Sequence, residues 1–487
     1  MMRRMPRILA LWLLAAAAVV AQDAAPRLTL SFTVDVTKPE SGRIKVALDV
    51  EGNDADEVQA SIPAWAPGAY RVVKYAKQVR NVQAADADGK KLDVSSVDDQ
   101  TWKVKARKAP RFTIRYELVV DRNRMDRSHC FLAGPDTYFY LVGRKETPCR
   151  VRFQLPEEWK VGTGLSADGD VYSARDYDTF IDCPTELGKF ELFEFESGGA
   201  AYEIVIHARG PVDGPKMIDM CRKVVAEQNK IFGGPPFDRY VFLFHLQDGT
   251  GGRGLEHLNS TDIIMPYAAA RVDPRMLASI TSHEYFHTWN VKRIRPAELG
   301  PFDYTRIVRS KALWLCEGGT SYFGDRALVR SGLWTETQYL DHLALEIETL
   351  QNNPDRKVTS MEKASQTVWD RQDYPRVDYY NKGELLGLLI DLKIRAASAG
   401  EKSFDDVLRL LYDRYVVQPS KEGKGAIGVG FPEDAILKAI NEISGEDWDE
   451  FYARYVRGVE ELPYPEIFPA AGLALQRDRG RPPPSGE

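Results

Sequence analysis

The hydrophobic period of this chain changes once along its length, and that change limits what it can fold into. From Arg27 to about Ala200 apolar residues recur at every second position. Leu28, Leu30, Phe32, Val34 and Val36 alternate with polar residues, as do Ile44, Val46, Leu48 and Val50, and later Phe112, Ile114, Tyr116 and Leu118. Period two is the mark of half-buried strands, and clusters such as Asp86-Ala87-Asp88-Gly89 supply the turns. An all-β domain, a sandwich, is expected there. After Ile204-Val205-Ile206 the period becomes helical. Lys216 to Phe232 reads as a helix closed by Gly233-Gly234-Pro235, and Tyr240 to His245 as a short strand. From Asp273, a good N-cap followed by Pro274 in the first helical position, helices dominate to about Val456.

The 487 residues suit several domains. The reading is a multidomain α+β chain: an N-terminal all-β domain over 22–200, an α/β catalytic domain over 201–395, and a helical region over 396–473. The tail 474–487, with three consecutive prolines, is expected to be disordered. The formal net charge is -6 and no Lys/Arg stripe stands out, which argues against a nucleic-acid partner. Residues 1–21 have the layout of a signal peptide. Arg3, Arg4 and Arg7 precede the apolar run Ile8 to Val20, and small residues end at Ala21. The run is short for a bilayer span, so export to the periplasm or medium without lasting membrane insertion is expected. The five cysteines include no CxxC pair; Cys130 and Cys149 are read either as a bridge or as buried thiols.

His283-Glu284-Tyr285-Phe286-His287 is an HExxH sequence inside the predicted helix. Residues four apart share a helix face, so both imidazoles aim at one point and Glu284 lies beside them. Two imidazoles and a third ligand leave a catalytic zinc one open position. Glu317 is a lone carboxylate in the apolar run Leu313 to Tyr322, where burial without a partner would be costly. Glu298, the competing ligand, precedes Leu299-Gly300-Pro301 and fits a surface loop better. One Zn2+ per chain on His283, His287 and Glu317 is expected, with Glu284 as the base acting on water.

At this point the chain resembles the glycyl aminopeptidase family of gluzincin metallopeptidases. The resemblance is carried by His283 to Pro296 (HEYFHTWNVKRIRP) and by Leu313-Trp314-Leu315-Cys316-Glu317-Gly318 with Thr320, Ser321 and Tyr322. Gly254-Leu255-Glu256-His257 and Tyr379-Tyr380-Asn381-Lys382-Gly383 complete it. It implies a β domain, a thermolysin-like catalytic domain and a helical domain. It also implies peptide substrates with a free N-terminus, cleaved after a small first residue such as Gly or Ala. Glu256 is placed on an edge strand to bind the substrate ammonium, and Tyr380 to donate to the oxyanion. His257 is read as structural, Tyr379 as a core residue, and Lys292, Arg293 and Arg295 as either peptide contacts or a solvated face. The chain departs from relatives at Gly319, where they carry Phe, and no PDZ domain is evident. The alternatives are a zinc endopeptidase on the same metal site and a non-catalytic peptide-binding protein.

Overall fold

The computed structural model describes residues 28–370, 377–423 and 427–476, so the leader and nearly all of the C-terminal tail lie outside the described residues. In the β-rich N-terminal part, the strands Thr29–Asp35, Arg43–Glu51 and Arg111–Val119 form the centre of an eight-stranded mixed sheet. Phe32 pairs with Leu48 and Leu48 with Ile114, so the alternating apolar residues stack on one face. A four-stranded sheet packs its apolar residues, among them Ala60 and Val104, into the same core. Cys130 and Cys149 are buried free thiols on different strands, which settles the open choice between bridge and thiol.

A three-stranded sheet (His129–Leu132, Lys160–Thr163, Thr185–Gly188) then meets the sheet of the catalytic part. Phe131 from the first packs with Val205, Val241 and Leu243 of the second. That second sheet has five strands. Ala200–Ala208, Arg239–Gln247 and Ser260–Pro266 run parallel, with Glu191–Ser197 and Arg253–Glu256 antiparallel at its edges. Its central strand Arg239–Gln247 is buried on both faces, as expected inside a sheet covered on both sides. The helix Gly214–Phe232 makes the crossover, capped by the Asp213 side chain and ended by Gly233 in the left-handed conformation.

The helix expected from Asp273 is divided. Asp273 accepts a hydrogen bond from Arg275 N–H and Pro274 opens a short 3-10 turn, Pro274–Leu277. The α-helix proper is Ala278–Phe286, and His287 sits at its C-cap. Gln228 fixes it from the crossover helix by donating to the Ser282 carbonyl at 2.7 Å. Glu317 lies in a widened π-helical segment, Trp314–Gly319, which runs on into the helix Thr320–Arg330. Among the described residues, no helix is long and apolar enough to cross a membrane. Residues of the C-terminal helices, including Phe404, Ile436 and Trp448, share one core with Phe286 and Leu385.

The segment carrying Glu317 touches the helix Asn381–Ala397 backbone to backbone. A Cβ on Gly318 would fall 2.4 Å from Gly383 Cα and 2.6 Å from the Tyr379 carbonyl oxygen. A Cβ on Gly319 would meet only the tip of the Leu315 side chain, at 2.9 Å. Backbone cannot move aside as a side chain can, so Gly318→Ala is expected to lose about 1–3 kcal/mol in chemical denaturation and Gly319→Ala distinctly less. Equal losses would show that the crossing is not set by this contact.

Candidate active site

Three nitrogen and oxygen atoms from two segments converge. His283 Nε2 and His287 Nε2 are 3.0 Å apart, and Glu317 Oε2 is 3.5 and 3.3 Å from them. Glu317 is 1% exposed. The ring orientations are fixed from behind. His287 Nδ1–H donates to the Asn290 carbonyl at 2.8 Å, which leaves its Nε2 lone pair facing the other two atoms. His283 Nδ1 meets Ser321 Oγ at 3.2 Å. Asn290 in turn donates through Nδ2 to the Leu315 carbonyl and to Thr320 Oγ1, tying the HExxH segment to the segment that bears Glu317.

The charge of this pit is negative. Glu256 and Glu284 lie beside Glu317, 5% and 6% exposed. Burial and the neighbouring carboxylates push the Glu284 carboxyl well above its usual range, and its Oε2 is buried without a hydrogen-bond partner. Burial also raises the Glu256 carboxyl, with Glu317 adding to it against His287. Glu317 is held well below the usual range, because His287 and His283 outweigh its burial. His287 is pushed up to about 10, its burial overcome by Glu317 and Glu256. Three carboxylates around two imidazoles, with the ring tautomer already set, fit a divalent cation. The spacing of the three donor atoms suits zinc held by His283, His287 and Glu317. Glu298 is exposed on a surface turn and is no ligand.

The edge strand Arg253–Glu256 lies against this pit. A Cβ on Gly254 would stand 2.1 Å from Glu284 Oε1, so only glycine lets the strand close over the carboxylate. Gly68, from the β-rich part, approaches Glu256 equally closely: a Cβ there would lie 2.5 Å from Oε1. Among the described residues no other residue donates a hydrogen bond to the Glu256 carboxylate or forms an ion pair with it; only its own backbone N–H reaches it. Tyr380 brings its ring to 5.9 Å from that of His283, while Tyr379, 5.0 Å from Tyr380, is buried in the core. Burial and then Glu317 raise the Tyr380 phenol well above 10, so it remains a donor.

Sequence reasoning missed several residues here. Tyr70, in the left-handed region at φ 43°, is buried within the electrostatic reach of Glu317 and Glu256. Its signal is weak, a tyrosine after a Pro67-Gly68 turn. Asp182 accepts from Lys292 Nζ at 2.7 Å and from the Leu258 N–H at 2.8 Å, and meets His257 Nδ1 at 3.1 Å. His257 Nε2 meets Asp262 at 3.4 Å, so His257 is structural, as expected. Lys292 is thereby committed, and Arg293 donates to the carbonyls of Thr288, Leu258 and Pro236. Neither forms a solvated face. Three more histidines surround Glu186: His129 Nδ1 at 3.1 Å, His245 Nδ1 at 3.5 Å and His207 Nδ1 at 4.0 Å. The rings of His129 and His207 are stacked 3.8 Å apart at 12°, so no ion can lie in both ring planes, and this group is a packed network.

Comparison with known proteins agrees with this geometry. Residues 31–189 match the model of the peptidase M61 N-terminal domain, and residues 276–386 that of M61 glycyl aminopeptidase. The chain belongs to the M61 glycyl aminopeptidase family. It is therefore a zinc-dependent peptidase, and zinc is the metal expected at its site. An aminopeptidase N family protein from Idiomarina loihiensis is 25% identical at a TM-score of 0.83, over 91% of this chain and 78% of that one. An M1 zinc metallopeptidase from Deinococcus radiodurans shares the fold at 15% identity and a TM-score of 0.54, over 90% of this chain and 96% of that one. So does yeast LTA4 hydrolase, at 14% identity and a TM-score of 0.52, over 91% of this chain and 69% of that one. No curated protein matches the sequence.

The Asp182–His257–Asp262 chain has a pH signature. Burial opposes the charge on His257, but the two aspartates overcome it and push its pKa up to about 9 from 6.5. A raised folded-state pKa contributes stability that is complete below about 6.5 and is lost as pH rises through about 9. The stability difference between wild type and His257→Gln should accordingly shrink between those values in melting experiments. A difference independent of pH would exclude the charged network.

Proposed function

We propose that this family member removes N-terminal residues from peptides, using Glu256 to hold the free ammonium, Glu284 as base and Tyr380 as oxyanion donor. One observation carries the reading. Glu256 is a nearly fully buried carboxylate that no other described residue pairs with, on the edge strand beside His283, His287 and Glu317. A buried charge without a partner is costly, and a substrate ammonium would supply the missing one. That ion pair would fix the first residue over the site. One zinc per chain, held by His283, His287 and Glu317, would make a water more acidic and polarise the scissile carbonyl. Burial and the neighbouring carboxylates raise the Glu284 carboxyl and make it a stronger base: it would take the water proton during attack and deliver it to the leaving amine. The Tyr380 phenol, protonated and beside His283, donates to the oxyanion as charge develops. The thermolysin-like character of the catalytic part belongs to this reading, supported by an edge strand lying along the HExxH helix. So does the preference for Gly or Ala, supported by the family's description as glycyl aminopeptidases. Export rests on the leader-like residues 1–21.

A zinc endopeptidase would use the same metal but leave Glu256 without work. Acetylating the substrate amine is therefore expected to abolish cleavage, with Glu256→Ala slowing free peptides and Glu284→Gln losing hydrolysis while keeping zinc. Internal cleavage of acetylated peptides at comparable rates would favour the endopeptidase.

Tyr380→Phe should remain folded and lose on the order of 100-fold in kcat, as for other oxyanion donors. Tyr379→Phe should stay within about tenfold of wild type, roughly 1.4 kcal/mol in the barrier. The opposite order in steady-state kinetics would transfer the role to Tyr379.

A further inference from the structure

Glu256 borders a cavity of about 470 Å³ that Arg295 also lines. The other charges around it are already matched. Lys292 holds Asp182 at 2.7 Å, Arg175 holds Asp176 at 3.1 Å, and Asp178 is held by Lys145 at 3.0 Å. Arg295 differs. It is 9% exposed, and no carboxylate pairs with it among the described residues. Among the described residues its one side-chain hydrogen bond is from Nη1 to the Ile427 carbonyl, at 3.2 Å. A guanidinium has five N–H donors in a planar fork, so most of that capacity is unused by the described residues. Its Nε and Nη2 edge lies against Gly300, also in the cavity lining, where a Cβ would stand 2.6 Å from Nε. Burial alone lowers its pKa, with no acidic neighbour offsetting it.

The backbone presents this side chain rigidly. Phe431 N–H donates to the Arg295 carbonyl at 2.8 Å, and Ala297 N–H donates to the Phe431 carbonyl at 2.9 Å. A cation kept in place, mostly desolvated and without a counter-charge is costly to a fold unless something else supplies the anion. The planar fork suits a carboxylate, which it can bind through two parallel hydrogen bonds. The cavity is of the size that takes small ligands whole, and its lining holds both an anion, Glu256, and a cation, Arg295, that no described residue pairs with.

We propose that Arg295 binds a carboxylate of the substrate, so that the preferred substrates are peptides with a negative charge shortly after the first residue. This rests on the reading of Glu256 as the ammonium site. Two sources share the chemistry: the α-carboxylate of a dipeptide or tripeptide, and the side chain of an Asp or Glu next to the first residue. In both, the peptide is held at two ends by opposite charges.

The test measures binding rather than turnover, on the full chain loaded with zinc and carrying Glu284→Gln. Trialanine as free acid and as C-terminal amide probes the α-carboxylate. The amides of alanyl-glutamate and alanyl-glutamine probe the side chain. In at least one pair the charged member should bind about tenfold to hundredfold more tightly, the range for a hydrogen-bonded ion pair. Adding Arg295→Gln should bring that ratio close to one, and Arg295→Lys should leave an intermediate ratio, since lysine keeps the charge without the fork. Equal binding within both pairs, or a ratio that survives in folded Arg295→Gln protein, overturns the proposal. If Arg295→Gln does not fold, the two pairs and the lysine variant decide. Failure of the ammonium reading would look different: N-acetyltrialanine would bind as well as trialanine, whatever the acid-to-amide ratio.

Discussion

Asn290 holds the catalytic geometry together. Its carbonyl accepts from His287 Nδ1–H and from Thr320 Oγ1, while its amide donates to Leu315 and to the same threonine hydroxyl. One residue thus fixes the tautomer of a donor-set imidazole through its backbone carbonyl, and the position of the helix that carries Glu317 through its side chain. The distance between the two halves of the donor set is an outcome of that clamp. Without it, two imidazoles four residues apart would face a carboxylate whose helix had no reason to stop there. The contact of Gly318 with Gly383 fixes the same segment from its other side and brings Tyr380 in with it.

Much of the centre was legible because its chemistry is written at fixed spacing. Helical periodicity places His283, Glu284 and His287 together, and a lone carboxylate in an apolar run is conspicuous. Glu256 and Tyr380 came from the family resemblance, which the structure places beside the same pit. What was not legible is carried by residues whose partners are remote in sequence. Asp182 and Gly68 look like ordinary turn residues, and Asn290 like one polar residue among several. Arg295 sits in a basic run whose members prove to have separate fates: Lys292 bound to a carboxylate, Arg293 to carbonyls, Arg295 to a cavity. The exposed side of a basic stretch and its buried counterpart have the same composition. The HExxH helix is shorter than its cap signal implies, because Asp273 and Pro274 serve a 3-10 turn that such a signal alone does not distinguish from a helix start.

The β-rich part is more than a support. Gly68 and Tyr70 complete the enclosure of Glu256, and Asp182 anchors Lys292 and His257 across the junction. The wall of the cavity beside Glu256 is therefore built by both parts. Residues proposed to bind substrate and residues that bind the parts to each other are neighbours there, in a junction that is charged and hydrogen-bonded. A charged seam buried this deeply accepts few alternative alignments, and alignment is what the cavity needs.

The pairing of Asp182 with Lys292 spans 110 positions of chain. Contacts of such separation form late, since the entropy of closing the intervening loop is paid before the contact returns anything. During synthesis the β-rich part emerges first and has a core of its own, whereas the pit around His283 has no enclosure until the second part docks. A hydrolase organised in this order stays incompetent through its own assembly.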